Sequence, residues 1–159
     1  MAMHTWFECK IRYEKVMENG MQKKVTEPYL VDALSLTEAE ARIIEEMTPF
    51  ISGEFTVSDI KRANYSELFP SDEESADRWF KCKLIFITLD EKSGAEKKTS
   101  TQVLVQAADL RDAVKKLDEG MKGTMADYQI GMVSETPLMD VYPYSAEPND
   151  KPEFDPSKA

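Results

Sequence analysis

WFECKIRY, Trp6–Tyr13, and RWFKCKLIF, Arg78–Phe86, decide the fold, because the uncommon string WF-x-CK occurs twice, 73 residues apart. Placing Trp6 on Trp79 also aligns Phe7 with Phe80, Cys9 with Cys82, Lys10 with Lys83, Ile11 with Leu84 and Tyr13 with Phe86. After a one-residue shift, Gly20 falls on Gly94, Lys23-Lys24 on Lys97-Lys98, Leu30-Val31 on Leu104-Val105, Ala39 on Ala113 and Met47 on Met121. At the first offset again, Phe55 meets Tyr128, and Phe69-Pro70 meets Tyr142-Pro143. One unit is therefore written twice, and self-similarity at a fixed period marks a repeated structural unit.

The unit reads physically as ββαβ. Phe7, Cys9, Ile11 and Tyr13 alternate with Glu8, Lys10, Arg12 and Glu14, the period of a strand with one buried face. Val25, Tyr29, Val31 and Ala33 supply the buried side of a second strand. Pairing Cys9 with Tyr29 and Phe7 with Val31 needs an odd loop, and Glu18-Asn19-Gly20 is a three-residue loop with glycine at the left-handed position. In the second copy, Phe80, Cys82 and Leu84 must face Val105, Val103 and Thr101, which needs the even loop Glu91–Gly94. The inserted residue keeps the register, since a one-residue slip would turn an apolar face outward.

A helix follows each hairpin. SLTE from Ser35 is a capping box, and DLRD from Asp109 is its acidic counterpart. Leu36, Ala39, Ile43 and Met47, matched by Leu110, Ala113, Leu117 and Met121, recur at helical spacing as a core face. EFTVSDI and DYQIGMV are third strands, with LFP and VYP beyond turns near Asn64 and Thr136-Pro137. The expected fold is α+β: tandem duplicated ββαβ units packed as a pseudo-twofold pair, with antiparallel sheets each backed by one helix. The divisions are 1–70, a polar linker 71–78, 79–143, and a disordered tail over 144–159 with little to bury.

From WFECKIRY through YLVDALSLTEAEA to its echo, the chain resembles a Bacteroidetes domain family of about this length and of unknown function. The resemblance spans Met3 to Tyr142 and implies a bacterial, intracellular protein; it transfers no activity or site residue. YLVDALSLTEAEA also has a looser likeness to ββα units of ribosome-associated proteins.

Composition limits the chemistry. Seven Phe, six Tyr and two Trp in 159 residues can build a core, so the chain is globular. No apolar run reaches membrane length and no signal peptide stands at the start, which predicts a cytoplasmic protein with no membrane association. Two cysteines and the single His4 make no metal-ligand spacing, and none of the six glycines falls into a phosphate-binding loop, so no metal site and no cofactor is expected. Cys9 and Cys82 alternate with buried aromatics and read as small core residues.

Charge is uneven. The net charge is -10, yet 1–28 carries +1 and 79–102 carries +2, leaving -13 for the rest. Trp6, Lys10, Arg12, Lys23 and Lys24, repeated as Trp79, Lys81, Lys83, Lys97 and Lys98, are the candidate binding residues. An aromatic plane beside cations suits single-stranded nucleic acid or an acidic protein segment. For the same residues the structural alternative is a tryptophan covering the end of a core and lysines protecting an open sheet. Ile85 and Ile87 stand where the first copy has Arg12 and Glu14, so they predict a covered patch, by the chain itself or in a homodimer. The reading is a non-catalytic binding or adaptor protein with a macromolecular partner, with no catalytic residue assigned. One rival is an enzyme or small-molecule site at the seam of the units, near Glu45, Glu119 or Cys9. The other is a structural homo-oligomeric assembly protein.

Overall fold

The computed structural model describes residues 5–124 and 127–143. His4 and the expected tail lie outside the described residues. The described residues are α+β, with two helices and two four-stranded sheets among them. The described residues form two compact units, 5–63 with 141–143 and 64–140.

The first unit contains β1 (Trp6–Val16), β2 (Gln22–Asp32), α1 (Leu36–Met47) and β3 (Phe55–Ala63). The second begins with β4 (Glu67–Phe69), β5 (Arg78–Leu89) and β6 (Glu96–Ala107), followed by α2 (Leu110–Gly120) and β7 (Tyr128–Glu135). The last strand, β8 (Asp140–Tyr142), returns to the first sheet. The sheet orders are β3-β1-β2-β8 and β4-β6-β5-β7.

The hairpins have the register that side-chain parity demands. Cys9 faces Tyr29 and Phe7 faces Val31, while Phe80, Cys82 and Leu84 face Val105, Val103 and Thr101. Each loop closes as its length requires. Met17 N–H donates to Met21 O at 2.8 Å and Gly20 N–H to Met17 O at 2.9 Å, with Gly20 at φ 83°. In the longer loop Asp90 N–H donates to Ala95 O at 2.8 Å and Gly94 N–H to Asp90 O at 2.7 Å, with Gly94 at φ 72°.

Both helix starts are capped as the sequence indicates. Ser35 Oγ accepts from Glu38 N–H at 3.1 Å, and Glu38 in return accepts from Leu34 N–H. Asp109 accepts from Asp112 N–H at 2.8 Å, and Asp112 accepts from Ala108 N–H at 3.0 Å. These side chains satisfy amides that the first helical turn leaves without intrahelical acceptors. Leu36 and Leu110, expected in the core, are instead about half exposed. They are the first helical residues, and the buried part of each face begins one turn later, at Ala39 and Ala113.

Each helix covers one face of its own sheet. Phe7, Cys9, Ile11 and Val31 pack with Ala39, Ile43 and Met47, and Phe80, Cys82, Leu84 and Val105 pack with Ala113 and Leu117. The third strands pair with β1 and β5, and each carries one extra residue at the matching position. Ser58 is extra between the partners of Lys10 and Ile11, and Gly131 between those of Lys83 and Leu84. Such a bulge bends the strand and re-aims the side chains beyond it.

The fourth strands depart from the sequence divisions. β4 lies within the stretch 1–70 but runs parallel to β6, pairing Glu67–Phe69 with Val103–Val105. Its Phe69 packs on the core around Phe80 and Leu117, so close to Gly120 that a Cβ there would come within 2.9 Å of the ring. β8 does the converse: Tyr142 packs on the core around Phe7 and Ile43 and stacks on Tyr29 at 6.2 Å. Arg42 of α1 donates to the carbonyl of Pro143 at 3.3 Å. The polar stretch before β5 is fastened to the second unit. Lys116 Nζ reaches Ser71 Oγ at 3.1 Å and Glu73 at 2.9 Å, and Ala76 is buried.

Candidate functional site

The structure corrects one expectation about the candidate site directly: Trp6 and Trp79 are only 3% and 5% exposed. Neither indole ring is presented to a partner. Each stands at the first positions of its strand, where both sheet faces are covered. Leu30 and Leu104, on the same faces as Trp6 and Trp79, are fully buried as well. Thr136 donates through N–H and Oγ1 to the carbonyl of Trp79, both at 2.9 Å, which fixes the start of β5. The tryptophans take the structural role, sealing the beginning of the hairpin.

The eight cations do not share one surface. Strand parity puts Lys10, Arg12 and Lys24 on the face of the first sheet away from α1, and Lys81, Lys83 and Lys98 on the corresponding face of the second sheet. Lys23 and Lys97 point to the helix side. Lys10 and Lys81 are half-buried and the other six are exposed. None of the eight forms a salt bridge with a described residue.

The two outer faces differ in chemistry. On the first, the cations alternate with Glu8, Glu14 and Asp59. The second carries Lys81, Lys83 and Lys98 around an apolar strip, with the neutral Ser100, Gln102 and Gln129 between them and Glu96 and Asp127 as acids at its loop end. The strip contains Ile85, Ile87, Leu89 and Met132. Leu89 is 68% exposed and Met132 41%. Ile85 and Ile87, expected to form a covered patch, are half-buried, and Ile85 lies against Gly131, where a Cβ would meet its Cδ1 at 2.9 Å. Leu89 could have been found by extending the alternation from Ile85 and Ile87. Met132 could not, because its facing depends on the bulge at Gly131.

The groups considered for catalysis are poorly placed for it. Burial pushes the Cys9 thiol up to about 12, helped by Glu8, Asp59 and Glu40, and the Cys82 thiol up to about 11. Both thiols stay protonated and enclosed at neutral pH, whereas a nucleophilic cysteine requires the exposed thiolate. Glu45 and Glu119 are solvent-exposed helix residues. No cluster of three or more His, Cys, Asp or Glu side chains suited to a metal ion occurs among the described residues. Nor is any described helix long and apolar enough to cross a membrane.

A family model described as a domain of unknown function, DUF4494, matches residues 5–144. No curated protein matches the chain.

Proposed function

Since the chain belongs to the DUF4494 family of domains of unknown function, we propose from its own geometry that it is a non-catalytic binding protein for an acidic, amphipathic protein segment. The observation that carries this reading is the outer face of the second sheet, where unpaired lysines frame Ile85, Ile87, Leu89 and Met132. An open sheet face of that composition has two needs, cover for its aliphatic strip and negative charge for its rim. A helix with leucines along one side and glutamates flanking them supplies both, in the ordinary packing of a helix on a sheet.

The other occupants fit less well. Single-stranded nucleic acid binds through aromatic platforms as well as cations, and here both indoles are buried and the exposed apolar residues of this face, Leu89 and Met132, are not aromatic. A homodimer through Ile85 and Ile87 would place the same patch against itself, bringing lysines against lysines. The duplicated origin of the two units belongs to this reading too. Matching strand orders, caps and bulges support it. So does a cytoplasmic setting, to which two unpaired cysteines are suited.

The test is fluorescence anisotropy with two labelled probes, a helical peptide bearing leucines at i, i+3, i+4 and i+7 among glutamates, and oligo-dT. The peptide should bind, more weakly as salt rises, and Lys83→Glu with Lys98→Glu should reduce its affinity about tenfold. Unchanged affinity in that double variant refutes the reading. Tighter binding of oligo-dT than of the peptide does so as well.

A further inference from the structure

Charge on the outer face of the second sheet is ordered along β5. By register, Lys81 stands between Ser134 and Leu104, and Lys83 between Met132 and Gln102. Ile85 follows between the neutral Gln129 and Ser100. Ile87 has Lys98 on one side and Asp127 on the other, placed there by the bond from Ile87 N–H to Asp127 O at 3.2 Å. Leu89 comes last, opposite Glu96. Lys98 and Asp127 cancel, so the five rows of described residues carry +1, +1, 0, 0 and -1. None of these charges forms a salt bridge with a described residue.

This order is not a property of the strand arrangement itself. On the first sheet, which has the same arrangement of β1, β2 and β3, opposite charges face each other across the strands: Glu8 with Lys61, Lys10 with Asp59 and Glu14 with Lys24. The open part of the second face is also bounded. Trp79 and Leu104 are buried on it, Lys81 is half-buried and Lys83 is exposed, so the face is already covered beyond Lys81. From Lys83 to Leu89 the strand runs about 20 Å at about 3.3 Å per residue. A helix of about 13 residues has that length.

Resting on the reading of this face as a docking surface, we infer that its partner is a short helix charged oppositely at its two ends, acidic over Lys81 and Lys83 and basic over Glu96 and Asp127. The apolar strip of Ile85, Ile87 and Leu89 follows one strand, so the helix axis follows β5. Glutamates in the first turn and lysines in the last are the arrangement that stabilises a free helix, because each offsets the helix dipole. A segment so built arrives with less ordering left to do. Its N-terminal end therefore lies over Lys83 and its C-terminal end over Glu96. Charge order, beyond net charge, then selects the partner, since a segment of the same composition with its charges mixed leaves like charges together.

The experiment uses the full chain and two labelled peptides of about 13 residues. Both have one composition and leucines at i, i+3, i+4 and i+7, and each is stapled on its outward side so that the two are equally helical. One carries glutamates in its first turn and lysines in its last; the other mixes them along its length. The ordered peptide should bind about fivefold more tightly at low salt, and the difference should fade as salt rises. A nitroxide at its N-terminus should broaden the amide signals of Lys83 and Met132, and one at its C-terminus those of Leu89 and Glu96. Lys83→Glu with Glu96→Lys keeps the net charge at -10 and should bring the two peptides to equal affinity. Equal affinity of both peptides for the parent chain, nitroxide effects at the opposite ends, or a preference that survives the double variant overturns the inference and leaves the docking face standing. Binding of neither peptide overturns both.

Discussion

Replacing Phe69 by Ala should weaken the second unit and spare the first, although Phe69 lies in the first half of the sequence. Its ring packs on the core formed by Phe80, Leu84, Val105 and Leu117 and lies against Gly120 at the end of α2. Truncating a fully buried Phe to Ala costs about 3–5 kcal/mol, and Phe69 is half-buried, so about 2 kcal/mol is expected. That corresponds to about a 30-fold rise in the opening equilibrium. Hydrogen exchange followed by mass spectrometry reads this by segment. Protection should fall by about that factor across β5, β6 and α2, with β1, β2 and α1 little changed. Tyr142→Ala should give the mirror result, because Tyr142 packs on the first core and stacks on Tyr29. If Phe69→Ala instead lowers protection in β1, β2 and α1 while β5 and β6 keep theirs, the strand assignment is wrong.

Two further perturbations have definite signs. The buried Cys9 and Cys82 thiols titrate far above their ordinary value of 9.0, so the folded chain holds protons that the unfolded chain releases. Stability is then full below pH 9 and falls as pH rises toward 11 to 12, by at most about 1.4 kcal/mol per pH unit for each thiol. Tyr13 and Tyr29 are also shifted up and act in the same direction at higher pH. Urea midpoints between pH 9 and 10 should therefore decline less steeply for Cys9→Ala with Cys82→Ala; an unchanged slope would remove the thiols from the explanation. Gly94→Ala has open space for its Cβ but must adopt φ 72°, so about 1 kcal/mol of destabilisation is expected from the backbone alone. Equal urea midpoints for the variant and the parent would contradict that.

The hairpins were legible because parity is a strong local constraint. Once Phe7, Cys9 and Ile11 share a face, the number of residues in each loop follows, and both loops and both registers agree. The helix caps were legible for a similar reason, since Ser35 and Asp109 act within one turn. The short strands β4 and β8 were not. Three residues carry no register, and LFP or VYP can lie beside either apolar sheet; only the assembled edges of β2 and β6 decide which. Trp6 and Trp79 were misplaced because alternation assumes one wet face, while at the start of each hairpin both faces are dry. The bulges at Ser58 and Gly131 were equally hidden, and with them the facing of Met132.

The placement of β4 and β8 means that neither half of the sequence is a finished piece of protein. Severed in the stretch between them, each fragment would carry the closing strand for its sister and expose the flank of its own hairpin. Two such fragments could complete each other only at high protein concentration, or by trading strands with further copies into chains of indefinite length. A continuous polypeptide removes that hazard by holding each closing strand at an effective concentration on the order of millimolar. The covalent join thus does work that the cores, each built around one helix, leave undone.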